Sequence, residues 1–132
     1  MKGLDTNVLV RFLVQDDPKQ SRAASRYIQT HCTVDSPCVI GHIVICELAW
    51  VLERSYGQDR ATIAATIEQL LQAGELRVDE PGAVWRALDD YRASNADFPD
   101  HLIARAHESA GCDTTATFDR RAAKQHGFEL VT

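Results

Sequence analysis

The sequence predicts an α/β fold in which a short parallel sheet is flanked by helices. Two patterns carry that expectation. Short β-type segments alternate along the chain with amphipathic helical stretches, which is the trace left by strands joined through crossover helices. The 132 residues also contain no linker, internal repeat or low-complexity stretch, so they read as a single domain, 1–132. With 45% hydrophobic and 25% charged residues, the chain can bury a core without staples.

Taken in order, Met1 to Leu4 reads as a buried first strand. Asp5-Thr6-Asn7 follows, a group that favours caps and turns, and Val8, Leu9, Phe12 and Leu13 then have helical spacing. Asp16-Asp17-Pro18 ends that helix and starts a second, with Pro18 suited to a first helical position. Ala23, Ala24, Tyr27 and Ile28 form its apolar face. Thr33 to Asp35 is a weak strand candidate. The apolar stretch from Val39 to Tyr56 exceeds ordinary strand length and ends at Gly57, which predicts a buried helix. A helix from Asp59 to Ala73 follows, then a short alternating strand from Glu75 to Asp79. Further helices are expected over Pro81 to Ser94 and Pro99 to Ala110. A strand over Thr114 to Phe118, a short helix over Arg120 to His126 and a strand over Phe128 to Val131 complete the chain.

The formal net charge is −5, which argues against sequence-independent nucleic-acid binding by phosphate neutralisation alone. It suits clustered carboxylates that hold cations, and a basic partner. No signal-peptide pattern and no apolar run of membrane-spanning length occurs, which implies a cytoplasmic protein with no membrane association. Cys32, Cys38, Cys46 and Cys112 match no zinc-site spacing. They are expected as small buried thiols in a reducing compartment, not as a disulfide framework.

Several carboxylates stand where chemistry could use them. Asp5 falls at the expected end of the first strand, the edge of a parallel sheet where ligands bind, although capping the next helix would also explain it. Glu47 sits within Ile43-Val44-Ile45-Cys46-Glu47-Leu48-Ala49-Trp50-Val51-Leu52. A carboxylate buried there would need a partner or a cation. Alternatively it shares a polar stripe with His42 and Arg54. Asp97 and Asp100 bracket Phe98-Pro99 at a helix start, where an acidic residue can simply complement the macrodipole. Asp119, just past a strand, repeats the setting of Asp5, and it too could be a cap. The five histidines have no ligand spacing, and His101 is read as a helix residue.

Taken together, Leu4-Asp5-Thr6-Asn7-Val8-Leu9, Cys46-Glu47-Leu48-Ala49-Trp50-Val51-Leu52, Ala96-Asp97-Phe98-Pro99-Asp100-His101-Leu102-Ile103-Ala104 and Thr117-Phe118-Asp119-Arg120-Arg121 resemble the PIN-domain family, specifically its VapC-type toxins. The resemblance spans nearly the whole chain in matching order. It implies a PIN-like three-layer sandwich with a short parallel sheet flanked by helices. It also implies a metal-dependent endoribonuclease, the toxin of a type II toxin–antitoxin pair. Carried over residue by residue, it makes Asp5, Glu47, Asp100 and Asp119 catalytic carboxylates and, with Asp97, the metal ligands. Thr6, Asn7 and Thr117 would support them. Hard oxygen ligands suit magnesium or manganese. The resemblance further implies an RNA substrate, a VapB-type antitoxin and a homodimer. Among Arg11, Arg54, Arg120 and Arg121, the last two are the preferred RNA contacts because they adjoin Asp119.

Two other enzyme or signalling classes share a strand-end Asp. A haloacid-dehalogenase-like phosphatase would need a second Asp at position 7, where Asn7 stands. A phospho-receiver would need paired early acids and a late strand-end Lys, whereas Lys124 falls in a predicted helix. A PIN fold reduced to a binding module would lack carboxylates that are all present here.

Overall fold

The computed structural model describes residues 1–132. Backbone packing divides the chain into two compact units, Met1–Asp79 and Glu80–Thr132. Six α-helices accompany short strands that pair in parallel throughout, the α/β class that the alternating pattern predicts.

In the first unit, α1 (Thr6–Val14) starts from Asp5, whose side chain caps it. Gln15 ends it with φ 60°, and its amide donates to the Arg11 carbonyl. That left-handed residue delivers Asp16-Asp17-Pro18 to the start of α2 (Pro18–His31), where Asp17 accepts from the Gln20 amide at 3.0 Å. Next come β1 (Cys38–Ile40), α3 (His42–Arg54), α4 (Arg60–Gln72), capped by Asp59, and β2 (Leu76–Val78). β1 pairs with β2, Cys38 opposite Leu76 and Ile40 opposite Val78. The N-terminal segment adds to the other edge of β1 through a parallel bridge between Gly3 and Val39. Val39 donates to Lys2, and Leu4 donates to Val39. Met1 to Leu4 is therefore an extended bridge and not a full strand. Leu9, Ile40, Ile45, Leu48, Leu52, Ile63 and Ile67 are fully buried, each contributing about 1.5–3 kcal/mol of transfer free energy.

Three further expectations in this unit are corrected. The apolar stretch from Val39 to Tyr56 is not one helix: Cys38–Ile40 is a strand, and Gly41 turns it into α3. Buried strand and buried helix look alike in a continuous apolar run, and the ladder partners at Lys2, Glu75 and Asp79 decide for the strand. Thr33 to Asp35 forms no strand; it belongs to a tight turn in which the Thr33 hydroxyl accepts from the Ser36 amide at 3.0 Å. That turn brings the Cα atoms of Cys32 and Cys38 to 5.0 Å, and the two form a disulfide, a separation that suits a crosslink. The four cysteines are thus not all buried thiols. Cys46 is half-buried and Cys112 exposed, both outside the disulfide.

The second unit holds α5 (Pro81–Arg92), α6 (Phe98–Ser109), β3 (Thr115–Thr117) and β4 (Phe128–Leu130). β3 pairs with β4, Thr115 opposite Phe128. The α5–α6 hairpin packs Tyr91 edge-on against Phe98, with centroids 5.7 Å apart, beside buried Leu88 and Leu102. Arg105 on α6 clamps Asp90 of α5 through Nε at 2.7 Å and Nη2 at 3.0 Å. Between β3 and β4 the expected helix over Arg120 to His126 shrinks to a single 3₁₀ turn, Ala122–Lys124. Gln125 is already extended there, and Gly127 takes φ 85° to enter β4.

Candidate functional site

Each unit gathers its own set of the expected side chains. In the first, the bridge at Gly3 and Val39 stops the extended segment at Leu4, so Asp5 stands where the chain leaves the sheet for α1. Its Oδ1 accepts from the Thr6 amide at 2.7 Å. Thr6 is buried, and its hydroxyl donates to Glu47 Oε1 of α3 at 3.3 Å. Asp5, Thr6, Asn7 and Glu47 line a single pocket of about 440 Å³, together with Arg11 and Tyr56. Asp5 and Asn7 also reach a second, mostly apolar pocket of about 470 Å³, walled by Leu4, Val8, Ala24 and Tyr27.

Glu47 is exposed, which corrects the premise that its apolar neighbours make it costly to bury. Ile45, Leu48, Ala49 and Leu52 face the core, while Glu47 shares the outer face with Ile43, 76% exposed, and Trp50, 40% exposed. The proposed polar-stripe partners are engaged elsewhere. His42 Nε2 lies 2.7 Å from the Asp79 carbonyl oxygen, and the Arg54 guanidinium sits over the Trp50 ring at 5.3 Å.

In the second unit, Asp97 occupies the N-cap position of α6 and makes no side-chain cap bond; its carbonyl accepts from the Asp100 amide at 3.1 Å. Asp100, one turn in, is half-buried. Burial raises its carboxyl above the ordinary aspartate value, the charges of Asp97 and then Asp119 push it further, and Arg121 partly offsets them. The Asp119 carboxylate accepts from the amides of Arg121 at 2.8 Å and Ala122 at 3.2 Å. Its own amide donates to the Thr117 hydroxyl at 3.0 Å. Asp5 is thus a helix cap and Asp119 closes a turn onto the amides of Arg121 and Ala122, and each does so through Oδ1 alone, leaving a second carboxylate oxygen for other use. Arg120 and Arg121 are exposed.

His101 is a core residue, 1% exposed, with Nε2 at 2.7 Å from Ser94 Oγ. Of the apolar residues of α6, Leu102 and Ala104 face the core, while Ile103 is 45% exposed. No motif or spacing marked Tyr56 and Asp16 as neighbours of the first pocket. Their only trace in the sequence was position, Tyr56 following α3 and Asp16 following α1.

The family model described as PIN domain matches residues 3–132. The chain is 27% identical over 131 residues to a VapC ribonuclease of Aquifex aeolicus, a match covering 99% of this chain and 96% of that protein. No solved structure gives a significant match.

Proposed function

Since the chain belongs to the PIN-domain family, we propose that it is a VapC-type endoribonuclease, the toxin of a type II toxin–antitoxin pair, acting at a carboxylate-held magnesium or manganese. One family model covers both compact units, which supports reading 1–132 as a single PIN-like domain. Asp5, Glu47, Asp100 and Asp119 are the catalytic carboxylates and, with Asp97, the metal ligands. The observation that carries this assignment is Asp100: a half-buried carboxylate pressed by two others has a proton affinity that a divalent cation would relieve. The donors are all oxygens, which fits hard cations and not zinc.

Such an ion, when bound, supplies charge compensation and Lewis acidity for hydrolysis of an RNA phosphodiester. The chain's own residues do the rest. Thr6 holds the Glu47 carboxylate by its hydroxyl, and Thr117 holds the Asp119 backbone, so both acids present a fixed oxygen. Asn7 lines the pocket beside Asp5 as a neutral donor. Arg120 and Arg121 are placed to contact RNA phosphates next to Asp119. A VapB-type antitoxin, a homodimeric state and a cytoplasmic location complete the proposal. The relative's name supports the toxin role, and no helix is long and apolar enough to cross a membrane.

The test is cleavage of total RNA by purified protein with manganese, with EDTA, and with Asp5→Asn or Asp100→Asn. Cleavage that requires both metal and the two aspartates supports the assignment. Metal-dependent cleavage retained in both variants sinks it. Release of phosphate from small esters without RNA cleavage would favour the phosphatase, and metal binding with neither activity would favour a binding module.

A further inference from the structure

The pocket lined by Asp5 and Glu47 also carries one guanidinium, that of Arg11, and its setting is unusual for a surface arginine. Exposed arginines ordinarily keep their rotamer freedom, because a surface ion pair returns little stability for ordering two long side chains. Arg11 is held from three directions instead. Its Nε donates to Gln20 Oε1 of α2 at 2.7 Å. Its Nη1 donates to both Asp16 oxygens, at 2.9 and 3.1 Å, and to the Tyr56 hydroxyl at 3.2 Å. Tyr56 in turn donates to Asp16 Oδ2 at 2.7 Å. The anchors come from the α1–α2 turn, from α2 and from the turn after α3, so the guanidinium is located relative to the helices that carry Asp5 and Glu47.

We propose that Arg11 binds a phosphate of the RNA strand in the pocket that Asp5 and Glu47 line, with Asp16, Tyr56 and Gln20 as its positioning residues. The inference rests on the ribonuclease reading. Three features support it. The pocket otherwise presents two carboxylates, which repel a polyanion, so a fixed cation is what an RNA backbone would need there. The cage consumes Nε and Nη1 and leaves the two Nη2 protons of a fixed, permanently charged guanidinium to donate to a phosphate oxygen. Asp16 keeps its charge, because the Tyr56 hydroxyl and then the Arg11 guanidinium hold its carboxyl below the ordinary range. The orienting contact therefore persists at any pH near neutral.

Arg11→Ala, Arg11→Lys and Tyr56→Phe separate a phosphate contact from a purely structural clamp. Each is assayed for steady-state cleavage of single-stranded RNA with manganese. Each is also assayed for binding of an RNA oligonucleotide across a salt series with calcium, and for thermal unfolding. Arg11→Ala is expected to raise KM about tenfold with little change in kcat, and to lower the slope of log affinity against log salt by about one. Arg11→Lys keeps the charge and hence the slope, but a single ammonium cannot be held by Gln20, Asp16 and Tyr56 and still donate to a ligand, so KM rises. Tyr56→Phe keeps the charge but loosens the cage. It is expected to raise KM about two- to fivefold at an unchanged slope. Wild-type KM in both Arg11→Lys and Tyr56→Phe overturns the proposal, even where Arg11→Ala fails to fold, and leaves the ribonuclease reading standing. Wild-type protein that neither binds nor cleaves RNA overturns both.

Discussion

Glu47 in the first unit and Asp100 in the second invert what their sequence neighbourhoods suggest. Glu47, embedded in the most apolar run of the chain, is exposed and meets a threonine hydroxyl. Asp100, introduced by Asp97, Phe98 and Pro99 at an ordinary helix start, is half-buried with two other carboxylates in its field. The difference teaches that linear surroundings do not measure a side chain's environment. On α3 the apolar neighbours of Glu47 turn to the core one position away, since successive helical residues are about 100° apart. At α6 the largest causes are burial and then the nearby Asp97, and Asp119, 19 positions beyond Asp100, adds a charge that no local window can include. The second unit therefore crowds Asp100 with like charges, whereas in the first a backbone amide holds Asp5 and a neutral hydroxyl holds Glu47.

The largest test of this contrast is activity. Asp100→Asn and Asp5→Asn are each expected to lower metal-dependent RNA cleavage by about 100-fold or more, read as kcat/KM. A variant that keeps full activity removes that residue from the centre. The disulfide comes next, because it staples only the first unit. Closing the short loop between Cys32 and Cys38 stabilises the fold by about 2 kcal/mol in the chain-entropy account. Cys32→Ser with Cys38→Ser should lower the urea midpoint accordingly, and a midpoint equal to wild type would show that the turn is fixed without it. Asp97 sits at the N-cap position without a side-chain cap bond. Asp97→Asn should weaken manganese affinity by about tenfold with little change in metal-free stability, as calorimetry and thermal melts would show.

The smallest effect carries the sharpest sign. Because the Asp100 carboxyl is raised in the folded state, its contribution to stability is complete below the ordinary aspartate range. It declines as pH rises through that range toward the folded value. At neutral pH without metal, charged Asp100 is a net cost. Asp100→Asn should then raise metal-free stability by less than about 1 kcal/mol, discounted for its partial exposure. Added manganese should stabilise the wild type but not the variant. Glu47→Gln, exposed and held by one hydroxyl, should leave metal-free stability unchanged. A gain in Glu47→Gln equal to that in Asp100→Asn would break the contrast.

Much of the architecture was legible beforehand, because its signals are local. Caps at Asp5 and Asp59, the Asp16-Asp17-Pro18 break with its proline at the first position of α2, and apolar periodicity along α4, α5 and α6 place those elements within a residue or two of their observed bounds. The strand over Cys38–Ile40 was not legible, since its identity depends on ladder partners at Lys2, Glu75 and Asp79 that are distant in sequence. The disulfide depends on a turn whose closure is a matter of backbone geometry.

The chain's own letters determined the order of the carboxylates and the α/β class, because acidic residue type and hydrophobic period are written position by position. Only the tertiary structure decided which acid is crowded, which is exposed, and that Arg11 is caged by Asp16, Tyr56 and Gln20. Burial, field and hydrogen-bond reach are properties of neighbours in space, and the sequence orders neighbours only along the chain.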